Sequence, residues 1–159
     1  MALIDWCLSN RSGIRISEPN ENMSRSYLGM AEESIRILPR VSASRIWTAT
    51  VSYYIFYYSL YSLMLRIGIK CERHSCSLEF MRRFLSGLYS SQDIQSISSA
   101  FSARIDLQYF SDRAVNDRQV SRAERECKDF YVKTKTILSR ITESQISGIR
   151  NSLRNRQNL

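Results

Sequence analysis

Between Arg45 and Arg66 the chain runs for twenty residues, "IWTATVSYYIFYYSLYSLML", without a formal charge. A run of that length is either a bilayer span or a helix enclosed by other parts of the protein. Its composition argues against the bilayer. Tyr53, Tyr54, Tyr57, Tyr58 and Tyr61 would place five phenol groups near mid-span, with Thr48, Thr50, Ser52, Ser59 and Ser62 adding further hydroxyls. In membranes tyrosine prefers the interfacial belts. No membrane association is therefore expected.

As a helix the segment is informative. Trp47, Val51, Tyr54, Tyr58, Tyr61 and Leu65 recur in steps of four and three and form one continuous stripe. Ile55, Leu63 and Ile67, with Phe56, Leu60 and Met64, occupy the other faces. A helix that is apolar nearly all round is enclosed by several partners. It reads as the central helix of a bundle, with the tyrosine hydroxyls reaching polar partners or the helix ends.

The flanking sequence supplies the rest of the organisation. With 159 residues but only 5 glycines and 2 prolines, few turns are signalled and long helices are favoured. Residues 1–20 form an N-terminal segment in which "GIRIS" alternates weakly and "EPNENM" turns. Asn20 caps a first long helix over 21–38, with Tyr27, Ala31, Ile35 and Leu38 inward; Pro39 ends it. The Tyr-rich helix spans about 42–67, with Gly68 as its C′ residue. A third helix over about 76–89 takes Ser75 as its cap, and a fourth covers about 94–113. A fifth starts near Val120 after a cap at Asn116 or Asp117. The end, "GIRNSLRNRQNL", is basic and polar and is expected to fray. The expected fold is all-α: an antiparallel up-and-down bundle of four to five helices over 21–141, preceded by a short N-terminal segment over 1–20 and followed by a basic helical extension or tail over 142–159.

A formal charge of +8 suggests an anionic partner, such as nucleic acid, a nucleotide or an acidic protein, and serves solubility equally well. Two readings of the basic residues stand. Arg82, Arg83, Lys128, Lys133, Lys135, Arg140, Arg150, Arg154 and Arg156 either track a phosphate backbone or form a solvated face with pairs such as Glu124–Lys128 and Asp129–Lys133. Four cysteines (Cys7, Cys71, Cys76, Cys127) do not make a dense disulfide framework, and "MALIDWCLSN" lacks a basic region followed by an apolar one. A cytoplasmic protein with reduced thiols is expected. "CERHSC" gathers Cys71, His74 and Cys76, but a zinc site needs four ligands, and Cys7 and Cys127 lack the spacing. No phosphate loop, HExxH, GxSxG or paired-carboxylate motif occurs, so no metal or cofactor is expected.

"SYLGMAEESIRIL", "YYIFYYSLYSLMLRIGIKCERHS", "ARIDLQYF" and "AERECKDFYVKTKTIL", in this order and spacing, resemble the HEPN domain family, and within it archaeal-type members. The likeness covers roughly residues 5–140. It implies a four- or five-helix bundle that usually dimerises and a link to nucleotides or RNA. Many members are toxin ribonucleases paired with a nucleotidyltransferase antitoxin, while others lack the nuclease motif and serve as binding or regulatory modules. In the nuclease members an arginine and a histidine four to six residues apart meet across the dimer. Here the one histidine, His74, is separated from Arg66 by seven residues (Ile67 to Arg73) across the break at Gly68, with Arg73 adjacent, and "RIDLQYF" carries no histidine. The expectation is a binding module without the usual nuclease motif.

The alternatives are a metal-independent endoribonuclease using His74 with Arg66 or Arg104, and a structural homodimer without a ligand. His74 reads as a connecting-loop residue with a local hydrogen bond, or as a cleft residue near Arg66 or Arg104. Arg104 and Asp106 read as an ion pair with Tyr109 as a third member, or as part of a site. The candidate ligand-binding set is Tyr54, Tyr58, Arg104, Asp106 and Tyr109.

Overall fold

A computed structural model describes residues 1–158. Seven α-helices dominate it: α1 Leu3–Ser9, α2 Glu21–Ile37, α3 Arg45–Ile67, α4 His74–Phe84, α5 Ser91–Tyr109, α6 Asp117–Arg140 and α7 Glu143–Gln157. A two-stranded antiparallel ladder, β1 Arg15–Ile16 and β2 Ile69–Lys70, pairs Arg15 with Lys70 and Ile16 with Ile69. The chain is all-α apart from this ladder. No helix among the described residues is long and apolar enough to cross a membrane.

Helix α3 is the centre of the molecule. It packs against α2, α6 and α5, and most of its residues from Thr48 to Ile67 are buried. The tyrosine-rich run is tolerated there because several of its polar groups find partners, although the buried Ser52 hydroxyl has none among the described residues. Tyr53 Oη meets His74 Nδ1 at 2.8 Å, and Tyr61 Oη accepts from the Cys71 amide at 3.4 Å. Ser59 Oγ returns a bond to the Ile55 carbonyl, and Ser62 Oγ meets Ser24 Oγ on α2. The stripe expected to be buried is not uniform. Tyr61 and Leu65 are enclosed, but Val51, Tyr54 and Tyr58 are half-open and Trp47 is 56% exposed. The first half of the stripe is thus the least covered line of α3.

The helix ends follow local chemistry. Asn20 accepts from the Met23 amide, Ser44 from Trp47 and Asn116 from Arg118. Proline at position 39 turns the end of α2 into a 3₁₀ turn over Leu38–Arg40. Gly68 closes α3 at φ +86°, in the left-handed region.

Several boundaries differ from expectation, each for a physical reason. Helix α1 is an addition, buried through Ile4 and Cys7. Helix α4 starts at His74 rather than after a Ser75 cap, and it has no side-chain cap. Helix α5 begins at Ser91 because Ser90 and Asp93 form a reciprocal capping box. The C-terminal segment does not fray: Thr142 and Gln145 form a second capping box, and Ile146 and Leu153 are buried. Of the seven helices among the described residues, α2–α6 lie within 21–141 and α1 and α7 lie in the flanking segments. Cys7 and Cys76 form a disulfide, overturning the expectation of four reduced thiols; their side chains are brought together by α1 packing on α4. Cys71 and Cys127 remain thiols, buried, and burial raises the pKa of both, that of Cys127 to about 12.

Candidate functional site

The candidate residues do not converge as one group. Arg66, at the end of α3, donates to Glu143 of α7 at 2.9 Å and pairs with Glu21 of α2 at 3.4 Å. It fastens three helix ends together and is not joined to His74. Asp106 pairs with Arg113 at 2.9 Å rather than with Arg104, and Tyr109 stands 68% exposed. The expected Arg104–Asp106 ion pair is therefore absent among the described residues. Residues two apart on a helix point in different directions, whereas residues four apart are neighbours. Arg104 Nε accordingly donates to Gln108 Oε1 at 3.1 Å, and Gln108 Nε2 passes the connection to Thr50 Oγ1 of α3 at 2.8 Å.

His74, Arg104, Tyr53, Tyr54 and Tyr57 do come together. The Arg104 guanidinium carbon lies 5.1 Å from the Tyr53 ring centre and 5.3 Å from that of Tyr54, a cation–π arrangement with both. His74 stacks on Tyr57 with centroids 3.9 Å apart and planes at 15°, while its Nδ1 meets the Tyr53 hydroxyl. Phe101 of α5 packs on Tyr53 at 5.3 Å, and Tyr58 lies 5.2 Å from Tyr54. His74 is thus neither a loop residue nor a partner of Arg66. It is the first residue of α4, set between the tyrosines of α3.

This setting controls ionisation. Burial, and then the positive charge of Arg104, lower the His74 pKa from 6.5 to about 4, so the imidazole is neutral at pH 7. Burial pushes the Tyr53 and Tyr57 phenols well above their ordinary range, so both keep their protons. An uncharged ring can accept a hydrogen bond at Nδ1 from the Tyr53 phenol. Because the folded pKa is depressed, the unfolded chain takes up a proton at His74 as pH falls below 6.5, while the native state does so only near pH 4. Stability contributed by the neutral ring is complete above the unfolded value and is lost across pH 6.5 to 4. With the ring partly open to solvent, the loss amounts to about 1–2 kcal/mol. Chemical denaturation at several pH values checks this: His74→Phe should flatten the dependence in that window. An unchanged slope would reject the assignment.

Among the basic residues, the expected i,i+4 pairs give way to others. Lys133 contacts Asp93, which burial would push up but which bonds from Lys133 and Ser90 hold below its ordinary pKa. Arg122 pairs with Glu126, and Lys135 lies over Tyr131. Arg150 donates to the carbonyls of Ser17, Ile67 and Gly68, and Arg156 to Asp5. These ties remove two arginines from any phosphate-tracking stripe. Cys76 is consumed by the disulfide, so Cys71, His74 and Cys76 do not form a ligand set. A cleft of about 600 Å³ is an open notch between α1 and α7 crossed by the Asp5–Arg156 pair, and it is lined by none of the candidate residues.

Sequence reasoning missed Tyr53, Tyr57, Phe101 and Gln108 as parts of this cluster. The i,i+4 spacing of Arg104 and Gln108 was the available signal for the last. Comparison with protein-family models, with curated proteins and with solved structures finds no match to this chain.

Proposed function

We propose that the chain is a HEPN-like binding or regulatory module that takes an anionic, base-containing ligand, a nucleotide or single-stranded RNA, at the α3–α5 face. In this reading α2, α3, α5 and α6 are the up-and-down bundle of the family, and α1, α4 and α7 are additions around it. The carrying observation is Arg104. It is half-buried over two tyrosine rings, bonded through Nε to Gln108, and without a carboxylate partner among the described residues. A guanidinium fixed in place with its terminal N–H groups unpaired by acid suits a phosphate. Half-open Tyr54 and Tyr58 and exposed Trp47, along one line of α3, add aromatic surface for bases.

Exposed apolar residues, Met23, Met30 and Ile37 on α2 and Ile46 and Trp47 on α3, support a homodimer as part of this reading. A nucleotidyltransferase partner of the toxin–antitoxin kind belongs to this proposal through the family resemblance alone. An endoribonuclease is the second reading, because His74 and Arg104 flank one ring, Tyr53, at 5.6 and 5.1 Å. It is the weaker one: an imidazole with a pKa near 4, stacked and bonded at Nδ1, is poorly matched to proton transfer at neutral pH. A structural homodimer without ligand is the third.

Anisotropy of a fluorescent oligo(U) RNA, competed with ATP at low salt, separates them. Binding should weaken about tenfold or more in Arg104→Ala, the loss of one charge-assisted contact of roughly 1.5–3 kcal/mol. Cleavage of the RNA in EDTA that disappears in His74→Ala would replace the binding reading with the nuclease. If neither probe binds, only the structural dimer survives.

A further inference from the structure

Residues 1–17 form a strap held to the body by one covalent bond and by contacts that are individually weak. Helix α1 has seven residues and no side-chain N-cap, too few to persist alone. Its anchors are the buried side chains of Ile4 and Cys7, and Ile14 just beyond it. The further ties are the two-residue β1–β2 ladder, the Ser17 amide on the Gly68 carbonyl with Arg150 donating to the Ser17 carbonyl, the Glu72 amide on the Ser12 carbonyl at 3.0 Å, and exposed ion pairs of Asp5 with Arg156 and Arg15 with Glu72. Exposed pairs of this kind contribute little.

The covalent bond enters the body at a particular place. Cys76 lies in the first turn of α4, two residues after His74 and three after Arg73. Arg73 itself reaches back to the strap, donating to Ser12 Oγ at 2.8 Å with its guanidinium 5.2 Å from the Trp6 ring. The turn that positions His74 beside Tyr53, Tyr57 and Arg104 is therefore braced from the strap side. Both disulfide sulfurs belong to residues with 0% exposure, so a reductant reaches them only when the strap lifts. Cys71 and Cys127, buried and kept as thiols, are poor nucleophiles for internal exchange.

We propose that the Cys7–Cys76 disulfide is a redox latch: closed, it holds the strap on α4 and His74 in its place beside Arg104; opened by a dithiol reductant, it releases the strap and loosens that turn. Its consequence for ligand affinity rests on the binding function proposed above. In the opening step a thiolate of the dithiol attacks one cysteine sulfur, forms a mixed disulfide and expels the other cysteine as a thiolate. The reagent's second thiol then displaces the first cysteine. The reagent ends as its cyclic disulfide, two electrons pass to the protein, and the two reagent protons end on Cys7 and Cys76.

The test uses the full chain, oxidised or reduced with dithiothreitol, with Cys7→Ser as a permanently open form. Hydrogen exchange should run at least tenfold faster in residues 1–17 and 71–77 of the reduced protein and outrun that of α3 and α6, whose core amides exchange only through global unfolding. His74, the single histidine, should titrate near 4 when oxidised and closer to its ordinary value when reduced, as read from its ring proton by NMR. Oligo(U) should bind several-fold more weakly to the reduced form. Equal exchange of the strap in both forms overturns the latch. Faster strap exchange with an unmoved His74 titration overturns it too, because the link to the site is then missing. Should oligo(U) bind neither form, the binding function fails, and the His74 titration still decides the latch.

Discussion

Gly68→Ala should cost the protein about 3 kcal/mol or more, lowering the midpoint of thermal unfolding by roughly 6–12 °C. Gly68 ends α3 at φ +86° and ψ 44°, where a side chain adds on the order of 1–2 kcal/mol of backbone energy. Space adds more. A Cβ there would stand 2.5 Å from the Ser17 carbonyl oxygen and 2.8 Å from the Pro19 nitrogen, and would run into the Arg150 guanidinium. Backbone atoms cannot step aside as a side-chain tip can. The Ser17 amide bonds to the Gly68 carbonyl at 2.8 Å, and Arg150 Nη1 donates to Ser17, Ile67 and Gly68 carbonyls at 2.7–3.1 Å. Moving Ser17 would therefore disturb the strap, the end of α3 and α7 together. Calorimetry of Gly68→Ala alone and with Arg150→Ala tests this account. The second change relieves only the guanidinium overlap, so the double variant should remain far below wild type. A single-variant loss under about 1 kcal/mol would mean the backbone yields more easily than the contacts imply.

How far such features could be read in advance depended on whether the signal was local. Asn20, Pro39, Gly68 and Asn116 act within one turn of their own position, and the ends of α2, α3 and α6 fall within a few residues of where those residues place them. The C-terminal helix was also written locally, in Thr142 and Gln145 with Ile146 and Leu153 behind them, but its basic, polar composition hid the pattern. Helix α1 offers no cap and only two buried side chains, so nothing in its own seven residues announces it. The disulfide joins residues 69 apart, and cysteine spacing does not determine which thiols meet.

The candidate cluster divides along the same line. Arg104 and His74 were visible as chemistry, being an arginine with polar neighbours and the single histidine. Their meeting depends on α4 folding back so that its first turn reaches the tyrosines of α3, a long-range event. Arg66 failed as their partner for the opposite reason. Glu21 and Glu143 come from helix ends distant in sequence and fix its charge elsewhere. The stripe led by Trp47 was legible as a line of side chains, but whether other helices would cover its first half was not.

Removal of the disulfide should produce the largest single loss of stability, about 4 kcal/mol. In the chain-entropy account a cross-link restricts the unfolded ensemble in proportion to the logarithm of the loop it closes, and a separation of 69 residues corresponds to roughly 4.4 kcal/mol at 25 °C. The two residues sit with Cα atoms 5.6 Å apart in fully buried positions. Cys7→Ala, Cys76→Ala and the double variant should then be equally destabilised to within about 1 kcal/mol, since the first change already removes the shared bond. Guanidinium unfolding monitored by tryptophan fluorescence and by circular dichroism reads both the global loss and any separate strap transition, because Trp6 lies on the strap and Trp47 on α3. Adding dithiothreitol to the wild-type protein should bring it close to the variants and leave the double variant where it was. Additive losses in the two single variants would assign the effect to side-chain packing at each site instead of to the cross-link. A wild-type protein indifferent to reductant, with both thiols reacting after unfolding, would show that the bond contributes nothing to the fold. Because the bond acts on the unfolded chain while the strap's few contacts act on the folded one, the same reduction that lowers global stability also leaves residues 1–17 with little to hold them. Global unfolding and release of the strap should therefore separate into two transitions in the reduced protein and merge into one in the oxidised protein.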